Sequence, residues 1–233
     1  MTLLVAAGSA IAQSQPPAGP RIVLVGDSTM APRSGYGNAL CARLQQVACL
    51  NLARGGRSSK SYRAEGLWDS VLALLAEKGP GDTRQKTLLL IQLGHNDQPG
   101  KPERSTDLAT EFGPNMTRYV IEAKAAGADV VLLTPLTRRT FKHGQVDNDL
   151  RPWAEAVLKV GVEQGVPVLD LNALSSDAVR AMGQPASDTL AEAPPRFDRT
   201  HLGPRGAALF SEMVLEGLVK LKPELVGAKT LTP

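Results

Sequence analysis

A serine hydroxyl attacks a carbonyl only when a base takes its proton, and that base needs a third group to hold its tautomer and orientation. Ser28 lies in the stretch Leu24-Val25-Gly26-Asp27-Ser28-Thr29-Met30, where an apolar run breaks into a loop. Of the three histidines, His201 follows Asp198 by three residues, a spacing at which one turn sets a carboxylate against one ring nitrogen and leaves the other to face a serine. His95, between Gly94 and Asn96, reads either as a structural hydrogen-bond donor of its loop or as a substrate contact; His143, in the polar stretch 142–149, reads as solvated. Acyl transfer also needs donors aimed at the developing oxyanion. Candidates are the Ser28 N–H, the N–H of Gly56, whose missing Cβ permits close approach, and the side-chain amide of Asn96. Each has an ordinary reading beside it: Ser28 as a helix N-cap, which does not compete with catalysis, and Gly56 and Asn96 as turn formers.

These residues need elements to carry them. Short continuous Leu/Val/Ile-rich runs at 21–25, 49–53, 87–93, 129–134 and 166–171 read as strands buried on both faces. Helical patterns fall between and after them, at 36–47, 65–78, 114–126, 152–164, 172–182 and 204–220, with Gly127 and Gly165 at C-cap positions. Alternation of this kind predicts an α/β domain, a three-layer α/β/α sandwich on a five-stranded parallel sheet, whose working groups lie beyond the C-terminal ends of the strands. The strand exits there are Gly26-Asp27-Ser28, Arg54-Gly55-Gly56-Arg57-Ser58, Gly94-His95-Asn96-Asp97 and 135–139, and Phe197-Asp198-Arg199-Thr200-His201 precedes the last helix.

The 233 residues suit one such domain, placed at 21–222, with a tail at 223–233. Residues 1–20 read as the remnant of an export signal plus a Pro/Gly linker, because small apolar residues lead to Ala10-Ile11-Ala12 and then to Gln13-Ser14-Gln15. A secreted or periplasmic location is expected. Cys41 and Cys49 read equally as one disulfide or as two buried thiols. No run is long and apolar enough for a membrane span, and a net charge of +3 without a basic block or interleaved aromatics carries no nucleic-acid signature. The spacing of His and Cys offers no metal site, and neither GxGxxG nor GxxxxGK[ST] occurs to hold a dinucleotide or nucleotide, so no cofactor is expected. The GxSxG elbow is absent too, which sends a serine enzyme to a different framework.

GDS after the first strand, a glycine after the second, GxND after the third and DxxH before the last helix together resemble the four blocks of the SGNH (GDSL-like) hydrolase superfamily. GDSTM, GGRSSKSYRAEG, GHND, TPLTRRTF and DRTHLGPRGA resemble its rhamnogalacturonan acetylesterase-like branch and related pectin-type deacetylases. The resemblance implies a flavodoxin-like sheet, Ser28 as nucleophile, His201 as base, Asp198 as its orienter, and Ser28, Gly56 and Asn96 as oxyanion donors. It further implies an acetylated oligo- or polysaccharide as substrate, rhamnogalacturonan or pectin first. Acetylated xylan, a sialic acid or a short-chain lipid ester are the alternatives, and a non-catalytic carbohydrate-binding relative is a third reading. Arg54, Arg57, Arg63, Arg138, Arg139 and Lys142 cluster near strand exits where they could meet uronate carboxylates, and Arg57, Arg139 and His95 are the expected substrate contacts.

Overall fold

The computed structural model describes residues 20–44, 47–77 and 86–226. Most of the leader and linker read at 1–20, and the end of the tail, lie outside the described residues. Five parallel strands, β1 (Arg21–Gly26), β2 (Ala48–Asn51), β3 (Thr87–Gln92), β4 (Asp129–Leu133) and β7 (Val168–Leu169), form a sheet in the order β2-β1-β3-β4-β7. The register pairs Ile22 with Cys49 and with Leu88, and Leu90 with Val131. A separate antiparallel hairpin, β5 (Phe141–Lys142) with β6 (Gln145–Val146), grows from the loop after β4. Its turn carries His143 at a positive φ of 50°, exposed.

Side chains of a strand alternate between faces, and here they feed two cores. Ile22, Leu24, Leu88, Leu90, Val131 and Leu133 pack under α1 (Gly37–Arg43), α6 (Leu171–Asp188) and α7 (Pro204–Leu221), against Leu40, Val179, Phe210, Val214 and Leu218. Val23, Val25, Leu89, Ile91, Val130 and Leu132 pack on the other face, under α3 (Leu67–Ala76), α4 (Gly113–Ala125) and α5 (Arg151–Gln164), against Val71, Met116, Val120 and Val157. This is the expected three-layer, doubly wound sandwich. Its order is that of flavodoxin-like sheets, with a crevice outside the carboxyl ends of β1 and β3.

Several boundaries differ from the sequence reading. The helix expected at 65–78 begins one residue past Gly66, whose left-handed φ of 73° separates α2 (Ser61–Ala64) from α3. The last strand keeps two residues of the six expected, because sheet pairing with β4 stops at Leu169 and Asp170 instead caps α6 by accepting from the Ala173 N–H. α6 runs on past 182 through a break at Gly183, and Pro223–Val226 of the expected tail forms a short helix, α8. Cys41 and Cys49 are joined as a disulfide between α1 and β2.

The loops at the C-terminal edge are held to one another by buried polar groups. The Asp97 carboxylate, after β3, accepts from the Ser59 N–H at 3.0 and 3.1 Å, from the Ser59 hydroxyl at 2.5 Å and from the Thr106 hydroxyl at 3.1 Å. Tyr119 of α4 closes the same knot by donating to the Ser59 carbonyl. The loops that carry Gly56 and Asn96 are thereby fixed together. Burial pushes the Asp97 carboxyl up to about 6, against these donors and with some help from the charge of Asp27. A carboxyl whose folded pKa lies above its ordinary 3.8 holds its proton more tightly when folded, so its contribution to stability is complete below that value and disappears as pH rises through the folded pKa. The stability of the wild type relative to Asp97→Asn should therefore be greatest near about pH 4 and fall until about pH 6, with no further change above. Thermal denaturation of both proteins across that range measures it; a difference that stays constant or grows with pH contradicts the assignment.

Candidate active site

β1 ends at Gly26, where a Cβ would fall 2.8 Å from the Gln92 carbonyl oxygen. The chain then turns sharply. The Asp27 carbonyl accepts from the N–H groups of Met30 and Ala31, and its Oδ1 accepts from the N–H and hydroxyl of Thr29, both at 2.9 Å. No helix starts at Ser28; the next begins at Gly37. The N-cap reading of Ser28 is thus corrected: no helix follows it, the turn is closed by the Asp27 side chain and carbonyl, and Ser28 sits within that turn, 7% exposed. Below it lies a buried chain of polar groups. Tyr36 donates to Gln92 Oε1, Gln92 Nε2 donates to Thr29 Oγ1, and Asp27 Oδ2 meets His95 Nδ1 at 3.1 Å. Burial works to raise the Asp27 carboxyl, but His95 and the Thr29 donors outweigh it and hold it low.

The segment ahead of α7 brings the second half. Asp198 Oδ1 accepts from the N–H groups of Thr200 and His201, each at 2.7 Å, while Oδ2 lies 2.8 Å from His201 Nδ1. That contact places the ring hydrogen on Nδ1 and leaves Nε2 as an acceptor, 2.9 Å from Ser28 Oγ. Burial of the Asp198 carboxylate is outweighed by the His201 N–H, the imidazole and the Thr200 N–H, so its pKa falls below the ordinary range and it stays ionised. Ser34 braces the two halves: its hydroxyl donates to the Ser28 carbonyl at 2.7 Å, and its own carbonyl accepts from the Leu202 N–H at 2.9 Å.

Around Ser28, the three donors singled out from sequence are arranged as follows. Neither the Ser28 N–H nor the Gly56 N–H donates to another described residue. Gly56 has a φ of 79°, and its neighbour Gly55 faces Ser28, whose Cβ a Cβ on Gly55 would meet at 3.7 Å. Asn96 Nδ2 gives one hydrogen to the Arg57 carbonyl at 3.1 Å and keeps the other. Lys101 anchors this loop by donating to the His95 carbonyl at 2.7 Å and, more weakly, to Asn96 Oδ1.

The expected substrate contacts fare differently. His95 is 2% exposed and committed to Asp27 beneath the Ser28 turn, so it supports the site from inside and presents no surface to a substrate. Arg139 is completely buried and donates to backbone carbonyls of the 198–201 loop, which removes it from substrate binding as well. Arg57 is partly exposed but pairs with Glu65 at 2.6 Å and donates to the Gly55 carbonyl. Arg63 is held by Glu122, Arg138 by Asp149 and Lys142 by Asp147. Of the six, Arg54 and the buried Arg139 have no ion pair with a described residue, and of these two only Arg54 is exposed. A cation that sequence reading missed, Arg104, reaches back over Gly56, where a Cβ would meet its guanidinium at 3.1 Å. Ser34 and the Asp97–Ser59 tie were also invisible, because their partners are backbone groups or lie in other loops. Among the described residues no three His, Cys, Asp or Glu side chains gather as a metal site would require, and no helix is long and apolar enough to cross a membrane.

Residues 24–209 match the GDSL-like Lipase/Acylhydrolase family. The chain is 30% identical over 209 residues to a probable rhamnogalacturonan acetylesterase, YesY, of Bacillus subtilis (strain 168), covering 86% of this chain and 93% of that protein. It is likewise 30% identical over 220 residues to the rhamnogalacturonan acetylesterase RhgT of the same organism, covering 86% and 90%. Among solved structures, the YxiM protein of Bacillus subtilis superposes with a TM-score of 0.72 at 26% identity, covering 91% of this chain and 59% of that one. Axe2, an acetylxylan esterase from Geobacillus stearothermophilus, shares the fold with a TM-score of 0.65 at 16% identity, covering 92% and 98%. Since the family match runs from the strand that delivers Ser28 into the helix that follows His201, the chain belongs to the GDSL-like lipase/acylhydrolases and is a carboxylic ester hydrolase.

Proposed function

We propose that this protein is an exported serine esterase that removes O-acetyl groups from an acetylated plant cell-wall polysaccharide, rhamnogalacturonan or a related pectin. The observation that carries the chemistry is the relay from Asp198 Oδ2 through His201 to Ser28 Oγ, at 2.8 and 2.9 Å. Ser28 Oγ attacks the acetyl carbonyl carbon as its proton passes to His201 Nε2. The carbonyl oxygen becomes an oxyanion held by the N–H groups of Ser28 and Gly56 and by Asn96 Nδ2. Collapse breaks the ester bond, and His201 gives its proton to the departing sugar oxygen. Water then loses a proton to His201 and attacks the acetyl-enzyme; acetate leaves, and the proton returns to Ser28 Oγ. Asp198 remains a carboxylate throughout and steadies the imidazolium.

The substrate reading draws on the names of the two 30%-identical relatives and on charge. Arg54 and Arg104, exposed and without ion pairs among the described residues, flank Gly55-Gly56 and suit the carboxylates of an acidic polymer. The Cys41–Cys49 disulfide supports export to an oxidising compartment.

Replacing Ser28 by Ala should lower kcat on p-nitrophenyl acetate by a factor on the order of 10⁵ and abolish labelling by a fluorophosphonate; full activity in that variant would end the triad reading. Asn96→Ala should cost about 100-fold or more in kcat at nearly constant KM, and a change confined to KM would remove Asn96 from the oxyanion site. For the substrate, the double variant Arg54→Glu, Arg104→Glu should raise KM for acetylated acidic oligosaccharides at least about tenfold while leaving p-nitrophenyl acetate little changed. Equal effects on both substrates, or faster acetate release from acetylated xylan than from acetylated rhamnogalacturonan, would refute that assignment.

A further inference from the structure

Arg139 lies in the loop after β4, and its guanidinium is wholly enclosed. It forms no ion pair with a described carboxylate. Its NH2 group donates to the Asp198 carbonyl at 2.9 Å and the His201 carbonyl at 2.6 Å, its NH1 group donates to the Thr200 carbonyl at 3.4 Å, and its backbone N–H donates to the Arg199 carbonyl at 2.9 Å. Every residue from 198 to 201 therefore presents its carbonyl to this one arginine. The arrangement follows from the Asp198 turn: Oδ1 draws the N–H groups of Thr200 and His201 to one side, so the carbonyls project to the other, where their negative ends converge.

A guanidinium is costly to bury, and here loss of hydration brings Arg139 down to about 10, with Asp198 and Asp188 opposing that fall and Arg199 adding to it. One nitrogen, Nε, has no hydrogen-bond partner among the described residues. An apolar residue would fill the space without those costs but would leave the carbonyls unsatisfied. Arg138 adds an outer grip, donating to the Thr200 hydroxyl and, at 2.8 Å, to Gln98 Oε1, while pairing with Asp149.

We propose that Arg139 is a positioning residue: by clamping the carbonyls of residues 198–201 it keeps His201 Nε2 within hydrogen-bond reach of Ser28 Oγ, and so governs turnover rather than substrate binding. The inference rests on the Ser28–His201–Asp198 reading above. A base displaced by about 1 Å loses on the order of 100-fold in rate. Arg139→Met should accordingly keep a cooperative thermal transition and a KM within about twofold of wild type, yet lose about 100-fold in kcat on both p-nitrophenyl acetate and acetylated polysaccharide. The rate at which a fluorophosphonate labels Ser28 should fall with kcat. Arg139→Lys, with three donors on one ammonium, should recover about tenfold of the loss.

Three results would overturn the proposal. One is a folded Arg139→Met enzyme with wild-type kcat; where that variant does not fold, a folded Arg139→Lys enzyme with wild-type kcat has the same force. Another is a loss seen only as a higher KM for the polysaccharide, which would return Arg139 to substrate binding. The third is loss of cooperative folding in both variants, which would make the residue one of general stability. An inert Ser28→Ala enzyme alongside a fully active Arg139→Met enzyme sinks the clamp and spares the triad, whereas an active Ser28→Ala enzyme sinks the triad itself.

Discussion

The 2.9 Å contact between His201 Nε2 and Ser28 Oγ joins groups 173 residues apart in the chain, and the proton transfer proposed between them slows on the order of 100-fold for a misplacement of about 1 Å. The parallel sheet solves the first half of that problem. All its strands leave at one edge, and because β1 and β3 are neighbours in the sheet, the turn at Ser28 and the loop bearing Asn96 emerge side by side, with the Gly56 loop on the flank from β2. His201 is delivered differently. It follows no strand but stands three residues ahead of α7, so its position depends on how Phe210, Val214 and Leu218 seat that helix beside α1 in one core. A close-packed core transmits that placement because its side chains have little room to shift.

Packing alone does not fix loops, which carry few apolar side chains. Here main-chain polar groups take over, satisfied by charged side chains where secondary structure would otherwise satisfy them. Asp27, Asp97 and Asp198 each collect N–H or hydroxyl donors of their own or a neighbouring loop, and Arg139 collects the carbonyls left over. Ser34 serves both halves at once, donating to the Ser28 carbonyl and accepting from the residue after His201. The site is thus a small polar lattice resting on two apolar cores, and its rigidity comes from buried hydrogen bonds that are costly to break.

How much of this was legible beforehand depended on range. The strands were found because residues such as Ile22 through Val25 are apolar on both faces, a local property, and the Asp198–His201 pair was found because a three-residue spacing forces proximity. Arg139 was misread because an arginine at a strand exit carries the same local pattern whether it faces solvent or the underside of another loop; only the long-range path of 198–201 distinguishes them. The same holds for His95, whose partner Asp27 lies 68 residues away. The last strand was read too long because Asp170 gains more by capping α6 than by extending a two-residue pairing.

The three carboxylates also differ in the property that the proposed triad asks of its acid. That role demands a group that remains ionised while the neighbouring imidazole gains and loses a proton. Asp97 meets only neutral hydroxyl and N–H donors, and burial carries it to about 6, so it is not held ionised as that role requires. Asp27 is held low despite complete burial, but its histidine is His95, sealed beneath the turn with an Nε2 that reaches no described partner. Asp198 combines a lowered pKa with a histidine that reaches both Ser28 and solvent, because two backbone N–H groups stabilise its charge while its side chain stays 44% exposed. Partial exposure limits the desolvation cost, and the donors more than offset what remains; the three-residue spacing to His201 supplies one of those donors along with the base.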